Sequence, residues 1–236
     1  MVQTLVVPDP LTDLARLEGV PSGLAAARDA VDAVLTDHGL RATSAEQVAD
    51  ALLTGARASA QLTDDPQRWL AGAIRLSAEL PMLAAVLRVA PGQALARAHT
   101  LAASGVVAGD KVGRLRRTAE VTSRVAGLAE LLTGRSEAPA LVLAAIAHAE
   151  IASVSPFGTA DGLVARAVER MVLISSGFDP RGVIATEVGH LRRRQDYREL
   201  LSGYQDGSVD GVRDWILHVA QAAVDGAEAA PVRPVG

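Results

Sequence analysis

Cysteine is absent from the 236 residues. That excludes disulfides, a thiol nucleophile and thiolate metal sites, and it accords with a reducing compartment. Aromatic residues make up only 3% of the chain, so a core has to be built from Ala, Leu and Val. Such a core suits closely packed helices, because strands favour aromatic and β-branched side chains. No stretch alternates apolar and polar residues over several positions, which limits any sheet to a short hairpin. Positive charge is not in excess either: the net charge is −4, and nothing global draws the protein to nucleic acid or anionic lipid. The N-terminus has no basic segment followed by an apolar one. The longest apolar run, Ala138 to Ala149, is interrupted by His148 and is too short to span a bilayer. The expectation is a cytoplasmic protein with neither nucleic-acid nor membrane partners.

What is present is a globular balance, 49% hydrophobic and 21% charged residues. The helical period begins at Ser22, with Leu24, Ala27, Val31, Val34 and Leu35 on one face and Gly39 as the stop. Ser44 with Gln47 forms a capping box for a second helix carrying Val48, Ala51, Leu52 and Gly55. Asp65–Pro66 opens a third, with Trp69, Leu70 and Ile74 as its apolar stripe. Pro81 starts a short segment that Pro91–Gly92 breaks, and a helix follows from about Gln93 to Ala103. After an irregular stretch, 106–117, come an amphipathic helix through Leu132, the apolar helix after Pro139, and a helix carrying Val164, Val168 and Met171. Helices around 181–192 and 194–204, and one from Ser208, complete the pattern. The apolar helix is hydrophobic nearly all round and belongs at the centre of a bundle. We expect an all-α chain: an extended arm over 1–20, one helical domain over 21–228, and a disordered tail over 229–236. Two basic clusters, Arg114/Arg116/Arg117 and Arg192/Arg193/Arg194, read as solvated helix faces rather than phosphate patches.

Chemistry concentrates between the apolar helix and the next one, in His148-Ala-Glu150-Ile-Ala-Ser-Val-Ser155-Pro156-Phe157-Gly158-Thr159-Ala160-Asp161-Gly162-Leu163-Val-Ala-Arg166. Small residues at a helix N-terminus let backbone N–H groups converge on an anion, and the helix dipole adds to the attraction. Gly158, Thr159, Gly162 and Arg166 are the candidate anion or nucleotide ligands. His148 lies two helical turns before Ser155, so the pair can share a face as an activated nucleophile, or His148 can be a hydrogen-bonded core residue. Asp161 can hold a metal or cap the helix. Arg166 can bind an anion or pair with Glu150 or Glu169.

This segment resembles the Fic motif, H-P-F-x-(D/E)-G-N-G-R-x-x-R. Pro156, Phe157, Gly162 and Arg166 match it, and His148 matches a histidine often found seven residues upstream. Ser155 stands at the catalytic histidine, Thr159 at the magnesium-holding acid, Ala160 at a glycine, Asp161 at the asparagine and Leu163 at the first arginine. Arg97-Ala-His99 with Gly113-Arg114-Leu115-Arg116 looks like the family's Leu-His helix and the loop that follows it. Tyr197-Arg-Glu-Leu-Leu, Gly207 and Trp215-Ile216 look like its closing helices.

The resemblance implies a Fic-like (Fido) helical bundle with a small β-hairpin flap allowed for. It also implies ATP or another nucleotide with magnesium as the ligand, with no cofactor fixed. Active members transfer AMP from ATP to a hydroxyl of a target protein. Here the departures strike that chemistry, since a serine cannot act as a base near neutral pH and Leu163 removes a phosphate-binding cation. We therefore expect no ordinary AMP transfer and no assigned metal ligand. The chain reads as a degenerate Fic-like pseudoenzyme, a nucleotide-, anion- or protein-binding regulatory module with an unidentified protein partner or a homodimeric state. The alternative is altered nucleotidyl, phosphoryl or glycosyl transfer using Ser155, His148 or Asp161. Active relatives often carry an inhibitory helix whose glutamate pairs with the motif's second arginine; the stretch Thr54 to Asp64 occupies a plausible place for it but lacks that glutamate, and no match is claimed.

Overall fold

A computed structural model of the protein describes residues 9–36 and 44–230. These form twelve helices: α1 (Pro10–Leu14), α2 (Val20–Thr36), α3 (Ala45–Gln61), α4 (Pro66–Ala78), α5 (Leu80–Leu87), α6 (Pro91–Ala103), α7 (Ala119–Thr133), α8 (Ala140–Val154), α9 (Asp161–Ser175), α10 (Thr186–Arg192), α11 (Arg194–Gln205) and α12 (Val209–Glu228). No strand occurs among the described residues, and 106–117 is a chain of turns and extended backbone rather than a hairpin flap. No single helix among them is long and apolar enough to cross a membrane.

The local signals work as their chemistry demands. The Ser44 hydroxyl accepts from Gln47 N while Gln47 Oε1 accepts from Ser44 N, the reciprocal cap that opens α3. Asp65 caps α4 by accepting from Arg68 N, with Pro66 in the first turn. α8 buries almost its whole circumference, and α9 buries twelve of its fifteen residues against α8 and their neighbours. α12 lies across this pair, with Trp215 fully buried and its indole N–H donating 2.8 Å to Ala145 O. α10 crosses α12 closely at Gly189, where a Cβ would stand 2.4 Å from the Ala222 backbone.

Several expectations change. Residues 9–20 are not an extended arm. Asp9 accepts from Leu11 N to cap α1, reaches Ser136 Oγ at 2.6 Å, and leaves Leu11 2% exposed. Residues 1–8, the Gly39 stop and the tail from 231 onward lie outside the described residues. Ile74 is exposed, and α4 buries Gly72, Ala73, Leu76 and Ser77 instead. The segment 181–185 is loop because the Asp179 carboxylate takes the N–H groups of Val183 and Ile184 at 3.2 and 2.8 Å, which diverts them from a helical ladder.

Candidate functional site

α8 turns into α9 through six residues. Ser155 (φ 48°), Gly158 (φ +73°) and Ala160 (φ 56°) are left-handed, a conformation that reverses the chain tightly and is uncommon outside glycine. Arg116 holds this reversal. Its Nε donates 2.8 Å to Ser155 O, its Nη2 donates 2.5 Å to Val154 O, and its backbone N–H donates 2.8 Å to Pro156 O. These bonds satisfy carbonyls at the C-terminus of α8, where a cation is also favoured by the helix dipole. Arg116 is therefore a clamp on the loop, not part of a solvated basic face.

Asp161 turns inward from the first position of α9. Its Oδ1 accepts 2.8 Å from Phe157 N, and the N–H groups of Gly158 and Thr159 also favour the charged carboxylate. Burial pushes its pKa up to about 6 despite those donors. The loop's converging N–H groups thus face a carboxylate of the same chain, which argues against Gly158 and Thr159 as an open cradle. Phe157 stacks on His99 with ring centres 4.2 Å apart. His99 Nδ1 accepts 2.9 Å from Gly113 N, so its Nε2 carries the proton and donates to Thr159 Oγ1 at 3.2 Å. Burial holds His99 below its ordinary pKa.

Ser155 and His148 are not paired. The Ser155 hydroxyl donates back to Ala152 O at 3.2 Å. Both nitrogens of His148 are engaged elsewhere, Nδ1 with Glu169 Oε2 at 2.5 Å and Nε2 with Tyr197 OH at 3.0 Å. His148 is fully buried, and burial lowers its pKa to about 4, so it is neutral at pH 7. Arg166, 2% exposed, pairs with neither Glu150 nor Glu169. Its Nε and Nη2 donate to Ser59 Oγ and O at 2.8 and 2.9 Å, and Nη1 donates to Tyr197 OH at 3.1 Å. Glu150 is held instead by Arg124 and Tyr204. The end of α3 does reach Arg166, through a serine and its carbonyl rather than a glutamate.

No family model matches the sequence, and no curated protein matches it. Solved structures do resemble it. A Fic family protein from Desulfovibrio desulfuricans superposes with a TM-score of 0.66 at 16% identity, over 99% of this chain and 79% of that one. A fragment of Fic-1 from C. elegans gives a TM-score of 0.59 at 19% identity, over 89% and 72%. The fold is that of Fic proteins. At these identities the likeness speaks for the fold alone.

On this Fic-like fold, Ala160, Asp161, Gly162, Leu163 and Arg166 line one side of a cleft of ≈ 420 Å³. Arg68, Trp69 and Arg198 line the other, with Asp64 and Asp65 at the α3–α4 turn. α9 has no side-chain cap, and its first turn borders this space. The cleft therefore combines a positive helix end, the guanidinium groups of Arg68 and Arg198, the latter 3.7 Å from Asp64, an aromatic face, and the carboxylates of Asp64, Asp65 and Asp161. Its polar groups can orient an anionic ligand carrying a planar ring.

Behind the cleft, sequence reasoning missed His190 and His218 and named Glu169 only as a partner for Arg166. Glu169 accepts from His190 Nε2 at 3.0 Å as well as from His148, and His190 Nδ1 lies 3.1 Å from His218 Nε2. Glu169 and His190 are fully buried, and His218 nearly so. Burial raises Glu169, but the two imidazoles outweigh it and hold the carboxyl well below its usual range. The available signal was that three of the five histidines sit among apolar helical positions, where an ionisable group needs partners.

Proposed function

We propose that the protein is a ligand-binding regulatory module on a Fic-like scaffold that does not carry out AMP transfer. The observation that carries this reading is that the groups at the motif's reactive positions are bonded within the protein. Ser155 occupies the position of the base and is bonded to Ala152 O, while the nearby His148 is sealed in the core. A hydroxyl without a partner base does not accept a proton near pH 7. Leu163 adds no cation, and the Arg166 guanidinium is committed to Ser59 and Tyr197. The uncapped N-terminus of α9, together with Arg68 and Arg198, supports binding of an anionic ligand of the nucleotide class. Such a module acts by contact, on a protein partner or on a second copy of the chain.

Calorimetry with ATP, ADP, CDP and a UDP-sugar, each with and without magnesium, tests the reading. The expected result is saturable binding of at least one ligand, weakened by Arg68→Ala and Arg198→Ala, with no radiolabel transferred from ATP to protein. Transfer of label would overturn the pseudoenzyme reading. Failure of every anion to bind would overturn the cleft assignment.

A further inference from the structure

We infer that His148, Glu169 and His190 form a binding site for a divalent transition-metal ion of the zinc class, a structural pin joining α8, α9 and α10. One ligand atom from each of the three residues lies within 4.8 Å of the others. Both Glu169 oxygens, at 3.1 and 3.0 Å, approach His190 Nε2, so either of them can join the two imidazole nitrogens in a set of three donors. With zinc bonds of about 2.0–2.2 Å, tetrahedral donor atoms stand about 3.3 Å apart. The present separations from Glu169 Oε2, 2.5 Å to His148 and 3.0 Å to His190, need only small side-chain shifts. Two imidazoles and one carboxylate select zinc, cobalt, nickel or ferrous iron over magnesium or calcium.

The surroundings supply what a metal site needs. Each histidine is fixed through its other nitrogen, His148 by Tyr197 and His190 by His218, the outer bonding that aims a ligating imidazole. Both outer partners tolerate the tautomer a metal imposes. The Tyr197 oxygen can accept from His148 Nε2–H, and His218 Nε2 can accept from His190 Nδ1–H. Glu169 places a fully buried carboxylate between the two imidazoles. A buried carboxylate without a cation is costly, and a divalent ion meets that cost. Full burial of all three ligands keeps bulk solvent from the ion, which suits a structural role.

The test unfolds the full chain in denaturant with a chelator and refolds it with Zn²⁺ or Co²⁺. Loose metal is then removed on chelating resin, and the metal content is measured. About one ion per chain, a visible cobalt ligand-field band and a Tm several degrees above that of the metal-free protein are expected. Glu169→Gln should lose the ion, and Trp69→Ala, in the cleft, should keep it. Wild-type protein that retains no ion, with Tm unchanged by metal, overturns the inference whether or not the variants fold. Loss of the ion in Trp69→Ala with retention in Glu169→Gln also overturns it, because the metal would then sit in the cleft.

Discussion

Two neighbouring regions of this protein divide form from chemistry. The loop from Ser155 to Asp161 lies on a Fic-like fold, and its polar side chains are bonded within the protein: Ser155 to Ala152, Asp161 to Phe157 and Thr159 to His99. The cluster behind it, His148, Glu169, His190 and Tyr197, resembles nothing in the motif apart from His148. It nevertheless holds a continuous hydrogen-bonded array across α8, α9, α10 and α11. The loop thus uses its polar groups to hold its own reversal, while the titratable groups of the core depend on one another, because removing one strands the others.

The sharpest way to break this comparison is to delete a polar group from each region. Glu169→Ala leaves the N–H groups of His148 and His190 buried without an acceptor, and it should cost about 3–5 kcal/mol in chemical denaturation. Ser155→Ala removes one weak back-bond at a half-buried position and should cost less than about 1 kcal/mol. Similar losses for the two variants would show that the cluster and the loop contribute alike, and the contrast would fall.

Acid separates the regions by sign. In metal-free protein, His148 and His218 titrate at about 4 and about 3, below an unfolded imidazole near 6.5. The unfolded chain therefore takes up protons first, and stability falls as pH drops from about 6.5 toward 4. Glu169, held below its usual range, loses its contribution below the ordinary carboxylate pKa, in the same direction. Asp161 runs the other way. Its pKa of about 6 exceeds that of an unfolded Asp, so its contribution is full below the unfolded value and is lost as pH rises through 6. Urea midpoints from pH 8 to 4 should fall in the wild type and fall more steeply in Asp161→Asn. A flat profile would show that the histidines are not held neutral by burial.

Much of the fold was legible because its signals are local. Capping residues lie three positions from what they cap, so the starts of α3, α4 and α12 followed from neighbours in the chain. The motif was legible in the same way, as an order of residues in one loop. What escaped depends on contacts distant in sequence: Arg166 with Ser59, 107 residues away, and His190 with His218, 28 residues away. The inward turn of Asp161 escaped for another reason. A carboxylate at the start of a helix serves an external cation or its own loop with the same residue pattern, and only the left-handed Ala160 before it aims the side chain at Phe157.

Within the loop, two smaller effects sharpen the division. Asp161→Ala leaves the Phe157 N–H without its buried acceptor and should cost about 1–3 kcal/mol. Asp161→Asn keeps an oxygen at that point and should be near neutral at pH 7. Arg116→Ala uncaps the carbonyls of Val154 and Ser155, and a loss of about 1 kcal/mol is expected. Thermal denaturation of the three variants ranks them, and Arg116→Ala falling below Asp161→Ala would make the clamp, not the carboxylate, the principal brace.

The smallest expected effect is on activity. Ser155→His places an imidazole where the motif has its base, at a left-handed position (φ 48°) that histidine adopts more readily than most residues. The variant should therefore fold, with a Tm close to wild type. It should still transfer no AMP. A general base contributes only after the triphosphate is positioned and its developing charge stabilised. Thr159 offers no carboxylate for magnesium, Leu163 no cation, and Arg166 remains bound to Ser59 and Tyr197. Incubation with labelled ATP and magnesium, followed by counting of protein-bound label, measures this directly. Autolabelling by this single variant would mean that the loop had kept its phosphate-binding function and lost only its base, and the division between form and chemistry would then run through one residue.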